Sequence, residues 1–270
     1  MIQLENIKIG DGYPIVLIAG PCVVENGDLI LSTAEAIKKI TADLGISFIF
    51  KSSYKKANRT NINSFTGIGE KEALEILRKV KNNLSLPVLT DVHTAEEIAA
   101  ASDVVDILQI PAFLSRQTEL LLAAGKSGKI INVKKGQFLA PDDMKHVAEK
   151  VASTGNNKIM LTERGTTFGY HNLVVDMRSF VIMKEFGYPV VMDATHSIQL
   201  PSKGITSGGE PKFIKPLAKA ATAVGIDALF LEVHPNPKEA LSDASSQLPL
   251  SELKELLTEI KAIDKLVKRY

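Results

Sequence analysis

Lys51, Lys56, Arg59, Lys134 and Arg164 come from four segments, each at or just beyond the end of a short apolar run. Arginine offers a planar donor fork that matches phosphate or carboxylate, and lysine adds a mobile point charge. Cations crowded together without anions repel one another, so a multiply anionic ligand is the natural compensation. The hydroxyl of Thr60 and the backbone amides of the Asn58–Asn61 loop would complete one phosphate pocket. The competing reading is a set of surface ion pairs, since Lys-Lys doublets such as 55–56 and 134–135 are common on exposed turns.

A second group consists of Cys22, His196, Glu232 and Asp243. No two of them have the short spacing of a zinc ribbon, so no local motif announces a metal. A sulfur, an imidazole and two carboxylates would nevertheless suit Zn, Fe, Mn or Co if the fold brought them together. Against this, a solitary cysteine often serves as a small hydrophobe, and Asp243 could cap a helix. Among the other histidines, His146 falls in a helical stretch and reads as surface or packing. His171 follows the glycine-rich TERGTTFGY, which could close over a ligand. His93 and His234 stand at strand ends without an assigned role.

The elements that must position these residues are legible as apolar runs. Eight occur, at 15–19, 46–50, 86–90, 104–110, 130–133, 159–162, 189–192 and 228–233. Helical periodicity fills intervals at 33–44, 69–80, 142–153, 173–186 and 216–224, with apolar positions three or four apart. Pro249 then introduces a final amphipathic helix, with Ser251 expected at its N-cap. Strands alternating with helices predict a parallel sheet covered on both faces.

A doubly wound sheet could also use eight strands. However, the first strand is followed by GPCVVENGD and lacks the GxGxxG fingerprint of a dinucleotide fold. The expectation is a single α/β domain over 1–270, a (β/α)8 barrel, with the segment before Pro14 forming a small hairpin over its bottom. In such a barrel the C-terminal strand ends build the site. There the first strand lies beside the eighth, and the seventh on the eighth's other side. Cys22, His196 and Glu232 would then converge, with Asp243 reaching in from the eighth loop. Lys51, Asp91 and His93, Gln109, Lys134, Glu163 and Arg164, Asp193 and Glu232 all fall at this mouth. Gly208-Gly209, between Ser207 and Glu210, marks a loop suited to a lid or a subunit contact.

The totals fit this class. The 270 residues are 45% hydrophobic, and 32 Lys and Arg against 31 Asp and Glu give a net charge of +1. No bulk positive field is present to bind nucleic acid. One cysteine cannot form an internal disulfide, and neither a signal peptide nor a membrane-length apolar stretch is read. The cytoplasm is the expected location.

Several long segments resemble the 3-deoxy-D-manno-octulosonate 8-phosphate synthase family over almost the whole chain. They are IAGPCVVEN, FKSSYKKANRTN, LTDVH, DILQIPAFLSRQTEL, INVKKGQF, LTERGTTFGY, MDATHSIQLP and LEVHPNPKEALSDASSQLP. The KANR segment is similar to the arabinose 5-phosphate version; the heptulosonate relatives would carry a KPRT-like one. The resemblance implies condensation of phosphoenolpyruvate with D-arabinose 5-phosphate and release of phosphate. It also implies the metal-dependent class, because the metal-independent form has asparagine where Cys22 stands. By matching motifs, Lys134 and Arg164 would bind the phosphoenolpyruvate phosphate, helped by Lys51 and Gln109. Lys56, Asn58, Arg59 and Thr60 would receive arabinose 5-phosphate, and Lys56 would donate a proton to the aldehyde oxygen. Cys22, His196, Glu232 and Asp243 would hold a divalent ion, with Asp243 also steering aldehyde or water. A homotetramer supplying a lipopolysaccharide sugar is the further implication.

Overall fold

A computed structural model describes residues 1–58, 61–200 and 208–270. Eight parallel strands form its centre: β1 (Val16–Gly20), β2 (Ser47–Lys51), β3 (Val88–Asp91), β4 (Ile107–Ile110), β5 (Ile130–Lys134), β6 (Ile159–Glu163), β7 (Val190–Asp193) and β8 (Ala228–His234). Each pairs with the next, and β8 pairs back onto β1 through Ala228–Val16 to Glu232–Gly20, so the sheet closes. This closure excludes the doubly wound alternative. The helices are α1 (Gly27–Leu44), α2 (Glu70–Leu84), α3 (Glu97–Ser102), α4 (Thr118–Lys126), α5 (Met144–Ala152), α6 (Arg178–Lys184), α7 (Ile214–Val224) and α8 (Leu250–Lys268).

Two apolar layers follow from the strand period of two. Outward residues such as Leu17, Phe50, Leu108, Val133, Leu161 and Leu231 pack under the helices. Inward residues Val16, Ile18, Ile49, Leu89, Ile107, Ile130, Met160, Val191, Ala228 and Phe230 fill the barrel. Ile2–Leu4 pairs antiparallel with Ile7–Ile9, and Ile2, Ile7 and Ile9 join the inner cluster. The expected N-terminal hairpin therefore plugs the bottom.

Some local expectations differ. The segment 173–186 is helical only from Arg178. Leu173–Val174 instead pairs with Thr166–Thr167, and Asp176 Oδ1 accepts the Arg178 backbone N–H at 3.0 Å, turning the chain. Ser251 is not a cap: α8 begins at Leu250, the cap position is Pro249, and no side chain caps it. The helix expected over 33–44 starts earlier, at Gly27, where Asn26 Oδ1 accepts from Leu29 N at 2.9 Å. Gly208–Gly209 pairs with Gln199–Leu200, and a Cβ on Gly209 would lie 2.7 Å from Ser245 O, so this glycine permits close packing against the eighth loop. Ser207 lies outside the described residues.

Candidate active site

Continuing the inward-facing alternation one step above the apolar layer gives Lys51, Asp91, Gln109, Asn132, Thr162, Asp193 and Glu232, and a second step on the fifth strand gives Lys134. All are buried. Period two thus places the strand-end polar residues on the barrel axis without any special loop geometry. Gly20 takes the β1 position at this level because a Cβ there would sit 2.2 Å from Lys51 O. The Phe230 ring lies directly beneath, its centroid 4.2 Å from Lys134 Nζ and 5.5 Å from Lys51 Nζ, within cation–π range.

Above this rung opens a cavity of about 470 Å³, lined among others by Lys51, Lys56, Asn58, Gln109, Lys134, Arg164, His196 and Asp243. A small phosphorylated substrate fits such a volume. Four cations, Lys51, Lys56, Lys134 and Arg164, line it. Arg164 Nη2 donates to Gln199 Oε1 at 2.9 Å, while Nη1 is buried without a hydrogen-bond partner. Burial pushes the Lys134 and Arg164 ionisations down, and Asp193 opposes that shift at both. Lys51 Nζ donates to Glu232 Oε1 at 3.0 Å, Cys22 O at 3.1 Å and Ser53 Oγ at 3.2 Å. Gln109 Oε1 accepts from Asn132 Nδ2 at 3.0 Å, which fixes its amide. Arg59 and Thr60 lie outside the described residues. Lys56 and Asn58 reach the cavity from the same loop.

On the other wall, ligand atoms of Cys22, Glu232 and Asp243 lie within 4.8 Å of one another. The Cys22 thiol donates to Asp243 Oδ2 at 3.2 Å, and Lys56 Nζ is 3.7 Å from the same oxygen. Burial, then Asp243 and Glu232, push the Cys22 thiol well up. Burial would raise Glu232 too, but His196, Lys51, Lys56 and Lys134 hold it down at about 2. Its Oε2 is buried with no hydrogen-bond partner. An orphaned carboxylate oxygen beside a thiol and a second carboxylate is a donor set suited to a divalent ion, whose charge would favour the thiolate. His196 stands beside this triad without being part of it: Nε2 is 3.5 Å from Glu232 Oε1, and Nδ1 is 2.8 Å from Asp193 Oδ2. Asp243 caps no helix. It sits in a turn, in the left-handed region at φ 48°, and its carbonyl accepts from Ser246 N at 2.9 Å.

The remaining histidines separate clearly. His93 is clamped between Asp91 and Glu97, with Nε2 3.1 Å from Asp91 Oδ2 and Nδ1 3.2 Å from Glu97 Oε2. His234 is buried with Nε2 3.8 Å from Glu25. His146 is exposed beside Glu149, and His171 is exposed on the 166–174 hairpin. Sequence reasoning overlooked Gln199, which joins Arg164 to Asp243 by donating from Nε2 to Oδ1 at 3.3 Å. The available signal was its place three residues after His196 in MDATHSIQ. It also overlooked Asn132 and Thr162, whose inward positions were implicit in the alternation.

Residues 1–269 match the profile described as the DAHP synthetase I family. The chain belongs to that family. Its similarity to individual members is full-length. A protein of Trichlorobacter lovleyi named 2-dehydro-3-deoxyphosphooctonate aldolase is 55% identical over 99% of this chain and 98% of its own length. Proteins of the same name from Geobacter sp. strain M21 and Francisella tularensis subsp. holarctica are each 54% identical, over 98% and 99% of this chain respectively and 98% of their own lengths. No helix among the described residues is long and apolar enough to cross a membrane.

Proposed function

We propose that this chain condenses phosphoenolpyruvate with D-arabinose 5-phosphate and water, giving 3-deoxy-D-manno-octulosonate 8-phosphate and inorganic phosphate. The observation that carries this reading is 55% identity across 99% of the chain to a relative named 2-dehydro-3-deoxyphosphooctonate aldolase. The site chemistry supports it. Lys134 and Arg164 would take the phosphate of phosphoenolpyruvate, Arg164 through the Nη1 donor that is buried without a partner. Lys51 and Gln109 would orient its carboxylate end. Lys56 and Asn58, with Arg59 and Thr60 of the same loop, would hold the sugar phosphate.

Attack of the phosphoenolpyruvate C3 on the aldehyde carbon forms the new bond and builds negative charge on the aldehyde oxygen. Lys56 is the proton donor at that oxygen. Burial disfavours its charge, but Cys22, Glu232, Asp243 and Asp91 raise its ionisation well above the ordinary lysine range, keeping it protonated. Water adds at C2, and the resulting phosphohemiketal releases phosphate. Fixed cations orient both substrates and stabilise the moving charge.

Cys22, Glu232 and Asp243, with His196 beside them, would hold a divalent ion, Zn, Fe, Mn or Co. When bound, such an ion supplies Lewis acidity to polarise the aldehyde or acidify water. Asp243, at the cavity edge, would also steer the aldehyde or the water. A homotetrameric, cytoplasmic enzyme supplying a lipopolysaccharide sugar completes the reading. Exposed Phe113, Phe138, Phe168 and Tyr170 are the kind of surface that assembly would cover.

The test is a metal-replete assay of phosphate release with phosphoenolpyruvate and either arabinose 5-phosphate or erythrose 4-phosphate, with the products identified. Turnover should favour the five-carbon sugar. Preference for erythrose 4-phosphate would refute the substrate assignment.

A further inference from the structure

Asp193 ends β7 with its carboxylate wholly buried, and it does not line the cavity. Four donors converge on it. Lys134 Nζ lies 2.6 Å and His196 Nδ1 2.8 Å from Oδ2 as charge contacts, and the hydrogen bond of the His196 ring runs from Nδ1 to Oδ1 at 3.1 Å. Oδ1 accepts from the His196 backbone N–H at 2.9 Å and from the Thr195 hydroxyl at 3.1 Å. The Thr195 oxygen in turn accepts the backbone N–H of Glu232 at 3.1 Å. Thr195 is also fully buried and outside the cavity wall. A continuous chain of hydrogen bonds therefore runs from the His196 ring, through two residues that cannot meet substrate, to the backbone of Glu232 on the neighbouring strand.

We propose that Asp193 and Thr195 form a positioning strap that sets His196 and Glu232 for a divalent ion. The proposal rests on the metal reading above. An ionised carboxylate only accepts hydrogen bonds, so contact with Asp193 puts the neutral imidazole's proton on Nδ1 and leaves the Nε2 lone pair facing Glu232. Groups that orient a ligating histidine in this way are worth roughly 10–100-fold in metal affinity. Thr195 carries the same constraint across the β7–β8 junction. Lys134 supplies the compensating charge that allows an ionised carboxylate in a dry interior.

The test is cobalt(II) titration of metal-stripped protein, read by binding affinity and by the thiolate-to-cobalt absorption that Cys22 would give. Asp193→Asn should weaken cobalt binding by roughly 10–100-fold, and Thr195→Val by about tenfold. Thr195→Ser, which restores the hydroxyl, should return affinity to the wild-type value. Thr195→Val leaves the Lys134–Asp193 pair intact, so it remains informative if Asp193→Asn folds poorly. Phosphoenolpyruvate binding to metal-stripped Thr195→Val should be unchanged, which a general loss of structure would not allow. Wild-type cobalt affinity in Thr195→Val, or failure of Thr195→Ser to recover, would overturn the strap. Absence of cobalt binding by the wild-type protein would instead overturn the metal reading, and the strap with it.

Discussion

Arg164 and Cys22 carry different kinds of information at the scale of single residues. Arg164 is identifiable by type: a guanidinium at a strand end announces an anion, and the structure leaves its Nη1 buried without a partner. Replacing the fork with Arg164→Lys keeps a charge but loses the two-pronged geometry. The KM for phosphoenolpyruvate should rise by roughly one to two orders of magnitude, the range of a charge-assisted hydrogen bond. Steady-state kinetics at saturating sugar phosphate would check it, and an unchanged KM would remove Arg164 from phosphate binding. Cys22 was far less legible. A solitary cysteine has no spacing to read, and only the closure of β8 onto β1 brings it to Glu232 and Asp243. Cys22→Ser should abolish the cobalt charge-transfer band and lower turnover; a band that persists would mean that the Cys22 thiolate is not its origin. Gln199 and Thr195 escaped notice because an amide and a hydroxyl carry no charge to flag them, and their importance lies in partners distant in sequence.

At the scale of elements, the β3 end shows how a short segment stabilises itself with charge. The β3–α3 connection is brief, and α3 has only six residues. His93 compensates by bridging Asp91 and Glu97, and Glu97 also accepts from Tyr54 at 2.5 Å. Burial alone would depress the imidazole, but these two carboxylates push it up to about 9. The folded value lies above the ordinary histidine value of about 6.5. The charged histidine therefore contributes stability that is complete below that ordinary value and is lost as pH rises through about 9. Thermal melts from pH 6 to pH 10 should show wild type losing more stability than His93→Gln, the two curves converging at the alkaline end. Parallel curves would rule the bridge out as a stabiliser.

This helix was invisible in the sequence because six residues, three of them in the Ala-Ala-Ala run, show no usable periodicity. The strands were legible for the opposite reason. Each is a mainly apolar run, most with a polar residue at or near the C-terminal end, a pattern that burial on both faces imposes. The over-long helix expected at 173–186 failed because Leu173, Val174 and Val175 satisfy helical spacing equally well as a short strand.

For the whole molecule, the barrel is a stack of layers with the hairpin as its base. Ile9 is completely buried there, among inward residues of the strands and far along the axis from the charged rung. Ile9→Ala should cost about 2–5 kcal/mol of stability through the cavity it leaves, with the KM for both substrates unchanged. Denaturant melts and kinetics on the same sample would check both halves. A changed KM would mean that base and mouth are mechanically coupled.

The inward rung above Phe230 has a consequence for how the barrel finds its shear. Sliding any one strand by a single residue would exchange its two faces. Lys51, Asp91, Lys134, Asp193 or Glu232 would then be thrust beneath a helix, while a leucine or valine would enter the mouth. Such a slip would strand a charge in hydrocarbon, away from its counter-ion. The residues that would do the chemistry therefore also act as a proofreading ring during assembly, rejecting misaligned barrels before any substrate is met.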